Sequence, residues 1–385
     1  MRKKILIISF IILAIPLLMW LFWLFTPKTR MVAAIIDKTV LTTSGQEHIS
    51  LTWILNHEKL TKTTTKPYKI AEDYFGFFPL EKQNFRLKGL ERFNTAQLVQ
   101  LSEDADMVYF TDTYGIYNNE WNSQGNNTER SGMLYGGMSP QDIELLKLMK
   151  EKGKLIITEF NSIGSPTHVE TRKKFERLFA MRWTGWTGRF FENLDSTKNE
   201  ELPKWLINNY KRAHNNQWPF KKSGVAFVND KDQVVILEDG TDLNGPLPHI
   251  TSTAYGQQHF GLPAKIKYTF WFDVIEPSVK TNITVANFNI HVNEKGRKLL
   301  NEYNLPSVFP AVTMHNGKDY RFYYFSGDFC DNPISMATSY FKGISFFRWM
   351  FYNTSNPMER SSFFWKFYKP LVTNILNEEQ ELKSK

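Results

Sequence analysis

The sequence predicts an α/β fold: a three-layer sandwich with a mostly parallel central sheet, a β-hairpin insertion and an N-terminal transmembrane helix. Three observations carry that expectation. Residues 154–166, KLIITEFNSIGSP, run apolar without alternation before breaking into polar and turn residues, as a central strand buried on both faces should. Apolar runs alternate with helix-compatible segments between residues 32 and 180, the order that right-handed parallel crossovers require. Residues 5–26 are nearly all apolar and uncharged, and about 20 such residues suffice to cross a bilayer as a helix.

Arg2, Lys3 and Lys4 precede that apolar stretch, which favours a cytoplasmic N-terminus. Its end, MWLFWLFTPKTR, lacks the small residues of a cleavage site, so an uncleaved anchor with Trp20 and Trp23 at the interface is expected rather than a signal peptide. The resulting organisation has residues 1–30 as cytoplasmic stub, anchor and linker. Residues 31–385 then form an α/β domain outside the cytoplasm, with an insertion over about 182–290. The expected location is the cell membrane, with a single pass.

Along the chain, residues 31–37 (MVAAIID) read as a first strand and residues 48–60 as its helix. Residues 68–78 read as a second strand turning into the aromatic loop FGFFP, and residues 107–110 as the next strand, with Thr111, Asp112 and Tyr114 at its tip. Ser139 and Pro140 supply an N-cap and a first helical residue, Gly153 stops that helix, and residues 167–180 form another. Residues 182–189, RWTGWTGR, place tryptophans and arginines on what glycines 185 and 188 make a turn-rich stretch. Residues 203–210 read as a short helix. Residues 223–238 are a hairpin, VAFV and VVIL around NDKD, and residues 267–275, 282–290 and 320–325 are further strands. Residues 340–368 are dense in aromatics, but Lys342, Arg348, Glu359 and Arg360 argue against a second span. Two amphipathic helices packed on the sheet are expected there, with helices lying on a bilayer surface as the alternative.

Composition excludes several classes. With 385 residues, 42% of them hydrophobic, the chain can bury a large core. The net charge is +8, but Arg2, Lys3, Lys4, Lys28 and Arg30 all flank the anchor, and setting those five aside leaves +3, with no basic block for nucleic acid. The one cysteine, Cys330, rules out an intrachain disulfide or a cysteine zinc site, and reads as a buried small hydrophobe rather than a nucleophile. The histidines have no ligand spacing. No metal and no cofactor is expected.

Chemistry is therefore expected from position. Asp112, Glu159 and Asp328 each fall just beyond the C-terminal end of a different apolar strand, where ligands bind in open α/β sheets. Carboxylates brought together in a partly dry cleft have their pKa values driven apart, which suits general acid and base work. The same acids could instead cap helices or pair with Arg130 or Arg189. Arg130, Trp183, Trp186 and Arg189 form a second candidate group, since tryptophan faces stack on sugars or cations and arginine forks hold carboxylate or phosphate. Core packing is the plainer role for both tryptophans. Tyr114 and Asn161 complete the candidate ligand-binding set.

The order of elements over residues 32–180, with DTYG at 112–115 and a polar strand end at Glu159, resembles the class I glutamine amidotransferase-like superfamily. The resemblance implies a doubly covered sheet with its site at the strand ends. Active amidotransferases carry a cysteine on the elbow after a central strand. Here that turn reads EFNSIG and has no thiol, so the likeness is to members that have lost the nucleophile and occur in carbohydrate-related or envelope proteins. Two functions stay open: a hydrolase using Asp112, Glu159 and Asp328 on a carbohydrate-like or cell-envelope ligand, and a non-catalytic envelope binding or assembly module using the same crevice.

Overall fold

Continuous apolar runs become the middle of a large sheet. The computed structural model describes residues 2–43, 47–122 and 131–384. The strands of its two larger sheets begin with β1 (Ala33–Asp37), β2 (Phe75–Pro79), β3 (Phe85–Leu87), β4 (Met107–Asp112) and β5 (Leu155–Glu159). The middle of the chain supplies β6 (Met181–Phe191), β7 (Gly224–Asn229), β8 (Val234–Glu238), β9 (His249–Ser252), β10 (Lys265–Lys267), β11 (Trp271–Pro277) and β12 (Asn282–Asn289). β13 (Val308–His315) and β14 (Arg321–Phe325) follow.

Among the described residues the large sheet has ten strands in the order β10-β9-β12-β13-β14-β5-β4-β1-β2-β3. The five from β14 to β2 run parallel to one another, and every other neighbouring pair is antiparallel. The sheet is thus mixed, parallel at its centre and antiparallel on both flanks, rather than mostly parallel. Connectivity is the reason for two of these pairs, because β13 and β14 or β2 and β3 are joined by five residues each and lack the crossover that parallel neighbours need. The expected hairpin forms as β7 and β8, inside a smaller antiparallel sheet ordered β8-β7-β6-β11.

Helices cover both faces of the large sheet. α1 (Arg2–Phe25) precedes the first strand, and α2 (Ile49–His57), α3 (Thr95–Asp104), α4 (Pro140–Glu151), α5 (Val169–Phe179), α6 (Lys204–Ala213), α7 (Glu294–Glu302) and α8 (Lys369–Ser384) follow. The period-2 alternation of strands divides the core. Ala34, Val108, Ile156 and Phe322 point to α3, α4 and α5, whereas Ile35, Tyr109, Ile157 and Tyr323 point to α2 and α8. α4 starts as its sequence directs: the Ser139 side chain accepts from the amide of Asp142, whose carboxylate accepts from the Ser139 amide in return.

The N-terminal transmembrane helix is not supported. Among the described residues no helix is long and apolar enough to cross a membrane. The C-terminal part of α1 is instead engaged with protein. Met19 is buried, Trp23 donates its indole N–H to the Asn56 carbonyl at 3.0 Å, and the Trp23 ring meets Tyr340 edge-on at 4.9 Å and carries Lys59 over its face. Residues 182–189 also differ from expectation, lying within the eleven-residue strand β6; Gly185 takes φ +91° where the pairing register with β11 shifts. The aromatic stretch is a 3-10 helix, Ile344–Phe351, and a later helical run from Ser361 that continues into α8.

Candidate functional site

Four strand ends converge. β1, β4 and β5 terminate in Asp37, Asp112 and Glu159, and Asp328 stands three residues after β14. Asp37 pairs in register with Asp112, and Glu159 with Phe325. The parallel half of the sheet therefore brings Asp112, Glu159 and Asp328 to one edge, where ligand crevices of open α/β sheets lie.

Asp112 is buried and held by three donors: Thr39 Oγ1 at 2.6 Å, the Tyr114 amide at 2.5 Å and Asn161 Nδ2 at 3.1 Å. Burial nevertheless wins, aided by the Asp37 charge, and pushes its carboxyl up to about 7. Asn161 sits in the left-handed region at φ 63°, which asparagine tolerates better than most residues. That turn directly follows β5 and aims the Asn161 amide back at Asp112.

Glu159 is fully enclosed. Its Oε2 accepts from Tyr109 Oη at 2.7 Å and its Oε1 from the Cys330 amide at 3.0 Å. Tyr109 Oη lies 3.1 Å from Tyr368 Oη, which donates to Cys330 Sγ at 3.2 Å, so carboxyl, phenols and thiol form one dry chain. Burial, then Asp328, pushes the Glu159 carboxyl well above the ordinary range and favours its neutral form. Cys330 Sγ also accepts from the Leu51 amide in the first turn of α2 at 3.4 Å, yet burial pushes its thiol up as well.

The more open part of the crevice contains residues that strand-end reasoning passed over. Oxygens of Glu47, Asp328 and Asp331 lie within 4.8 Å of one another, a spacing an oxygen-ligated divalent cation could bridge. Burial, with Asp331 next, drives both Glu47 and Asp328 well above the ordinary carboxylate range. Glu47 Oε2 is buried without a hydrogen-bond partner. Arg360 answers part of this charge, donating to Asp331 Oδ2 at 3.1 Å. Asp37 meets His48 Nδ1 at 2.6 Å, while His48 Nε2 faces the Ile70 carbonyl at 2.8 Å. Asp37 ends the run MVAAIID and was accessible to the rule that selected Asp112; Glu47 and Arg360 lie off the strands and left no such signal.

The second candidate group is not assembled as one surface. Trp183 donates its indole N–H to the Trp186 carbonyl at 3.0 Å, and both rings are buried in the core, Trp183 beneath Arg172 and Trp186 against Tyr303. Arg189 pairs with Glu201 at 2.5 Å and lies over Phe191, Phe270 and Trp271. The Tyr114 ring packs on Tyr117. Arg130 lies outside the described residues.

Cavity space and chemistry do not coincide. The pocket between Asp328 and Arg360 measures ≈10 Å³, room for about one water. A larger cleft of ≈350 Å³ lies by α6, β8 and α7, lined by Tyr210, Phe220 and Tyr303. Its Asp242 already accepts from the Glu238 amide and faces Lys295 at 3.5 Å, so the unsatisfied acceptor at Glu47 makes the strand-end crevice the stronger candidate.

No protein-family model matches the chain, and no curated protein matches it. Solved structures to which it is similar include a glutamine amidotransferase from Thermotoga maritima, 8% identical, where 90% of this chain covers 97% of that one at a TM-score of 0.37. A ThuA-like protein from Parabacteroides merdae is 11% identical, with 77% and 78% covered and a TM-score of 0.34. A beta-galactosidase from Bacillus circulans is 11% identical at a TM-score of 0.28; 60% of this chain is covered and only 22% of the galactosidase. Likenesses this faint carry no activity across to this chain.

Proposed function

We propose that the strand-end crevice binds a carbohydrate-like ligand by accepting hydrogen bonds from its hydroxyl groups. The observation that carries this reading is the buried, partnerless Glu47 Oε2 beside Asp328 and Asp331. A carboxyl oxygen accepts hydrogen bonds whether or not the group is protonated, and leaving one unsatisfied out of water costs about 1–3 kcal/mol. Such a site calls for hydroxyl donors, which a neutral polyhydroxylated ligand supplies and a phosphate or carboxylate anion does not. The rim is reachable, since the Asp331 side chain is 29% exposed.

Saturation-transfer NMR with a panel of neutral disaccharides tests this. Signal is expected with the wild-type chain and is lost in Glu47→Gln and Asp328→Asn. Absence of signal from every neutral saccharide, or equal signal in both variants, would overturn the reading.

One observation favours a second reading, hydrolysis. A carboxyl pushed up to about 7 is suited to exchange protons at neutral pH, and Asp112 is such a group. Turnover of chromogenic glycosides should then fall by about 10²-fold or more in Asp112→Asn while binding persists. Equal turnover in the two proteins removes Asp112 as acid or base.

A further inference from the structure

The exposed apolar surface of the molecule is concentrated in one place. Of nineteen large hydrophobic residues exposed among the described residues, eleven belong to α1 or to residues 340–351. The two segments are joined: the Lys342 amide donates to the Met19 carbonyl at 3.0 Å, and Trp23 packs on Tyr340. Phe346 is 81% exposed and Trp349 65%, and in the 3-10 helix Ile344–Phe351 residues three apart project to one side. Phe22 and Phe25 of α1 are 67% and 78% exposed. Isolated exposed apolar residues need no explanation, but so many exposed aromatics on two segments that touch each other mark an interaction surface.

Charge says what the surface meets. No acid occurs before Asp37 or between Asp331 and Glu359, whereas the same segments hold Arg2, Lys3, Lys4, Lys28, Arg30, Lys342 and Arg348. Lys28, Arg30 and Arg348 are exposed. Glu58 pairs with Lys342 at 2.8 Å, but a second copy docking through this face in a two-fold contact would still set the exposed Lys28, Arg30 and Arg348 against one another. Phenylalanine and tryptophan beside arginine and lysine is the composition that lies in the boundary between lipid headgroups and acyl chains.

We propose that this face docks onto one leaflet of an anionic lipid bilayer, with Phe346 and Trp349 inserted and Arg348, Lys28 and Arg30 at the phosphates. The contact is interfacial and spans nothing. It is independent of the ligand read into the strand-end crevice.

The test uses the full chain and vesicles of phosphatidylcholine with and without phosphatidylglycerol. Wild type is expected to sediment with the phosphatidylglycerol vesicles. The Phe346→Ser/Trp349→Ser double variant should lose about tenfold or more of that partitioning, and Arg348→Glu should lose binding only where phosphatidylglycerol is present. Val279→Ser, which removes an 86%-exposed apolar residue on the turn between β11 and β12, should bind as wild type. Circular dichroism checks that each variant is folded. A solvent-sensitive dye on Trp349→Cys should shift to the blue on vesicle addition, and the same dye on Val279→Cys should not. Unchanged partitioning of the double variant, an unshifted dye at position 349, or a dimer that the double variant abolishes while vesicle binding persists would each overturn the proposal.

Discussion

The Cys330 amide donates to Glu159 Oε1 at 3.0 Å, tying the loop after β14 to the last residue of β5. The Tyr109 hydroxyl fills the other carboxyl oxygen. Burial favours the neutral acid, and a neutral carboxyl and a carboxamide are close in size and donor–acceptor capacity. Glu159→Gln is therefore expected to cost on the order of 1 kcal/mol. Glu159→Ala, which strands the Cys330 amide and Tyr109 and opens a cavity, should cost about 2–5 kcal/mol. Urea denaturation of both variants checks this, and equal losses would mean the carboxyl is held by its charge.

The Asp112 carboxyl gives stability a definite pH dependence. Its value rises from the ordinary 3.8 to about 7 on folding, so the folded state binds the extra proton. That contribution is fully present below about pH 4 and is lost as pH rises through 7. The wild-type melting temperature should fall from pH 5 to pH 8, and Asp112→Asn should flatten the slope. A slope of the opposite sign, or one unchanged in the variant, contradicts the assignment.

Cys330 should be inert in the native protein. Its sulfur is buried, and burial pushes the thiol up, so both access and thiolate are lacking. Alkylation by iodoacetamide should proceed only through unfolding, slowed by about 10³-fold or more relative to the chain in denaturant. Rapid modification without loss of structure would show an opening at the crevice that this arrangement does not have.

Lys38, next to Asp37 in sequence, turns to the opposite face. Its ammonium is fully buried, pairs with Asp142 at 2.7 Å and with Glu91, and donates to the Gly137 carbonyl at 3.0 Å. Lys38→Met leaves a buried carboxylate uncompensated at the start of α4 and should cost about 3–5 kcal/mol. Adding Asp142→Asn should recover part of that loss. A double variant no better than the single would place the cost in packing.

The legible part of the fold was the part governed by local pattern. Uninterrupted apolar runs gave β1, β4 and β5, and Ser139-Pro140 gave the start of α4, because burial on both faces and helix capping each leave a mark within a few residues. β13 left none: Pro310 stands in its middle, and a proline argues against a strand until pairing with Asn287 shows where it is tolerated. β6 was hidden for a related reason, since Gly185 and Gly188 read as turns although Gly188 is a strand position pressed against Phe272 and Phe227. At the site, strand ends located Asp112, Glu159 and Asp328. Glu47 and Arg360 come from non-strand segments far apart in sequence and meet only through tertiary packing. Whether Glu159 faces ligand or core was likewise beyond local pattern, since Tyr109 and Cys330 enclose it from other elements.

The stretch 182–290 feeds both sheets, which determines how this chain can be dissected. β6, β7, β8 and β11 build the small sheet, while β9, β10 and β12 extend the large one. The bridge between Phe272 and Gly327 links the small sheet to the residue before Asp328. The stretch is therefore no removable cassette. Excising it would strip β13 of β12, leaving it paired only with β14, and expose a long row of unpaired amides and carbonyls, a template for edge-to-edge aggregation. Shortened versions should keep it whole and trim elsewhere.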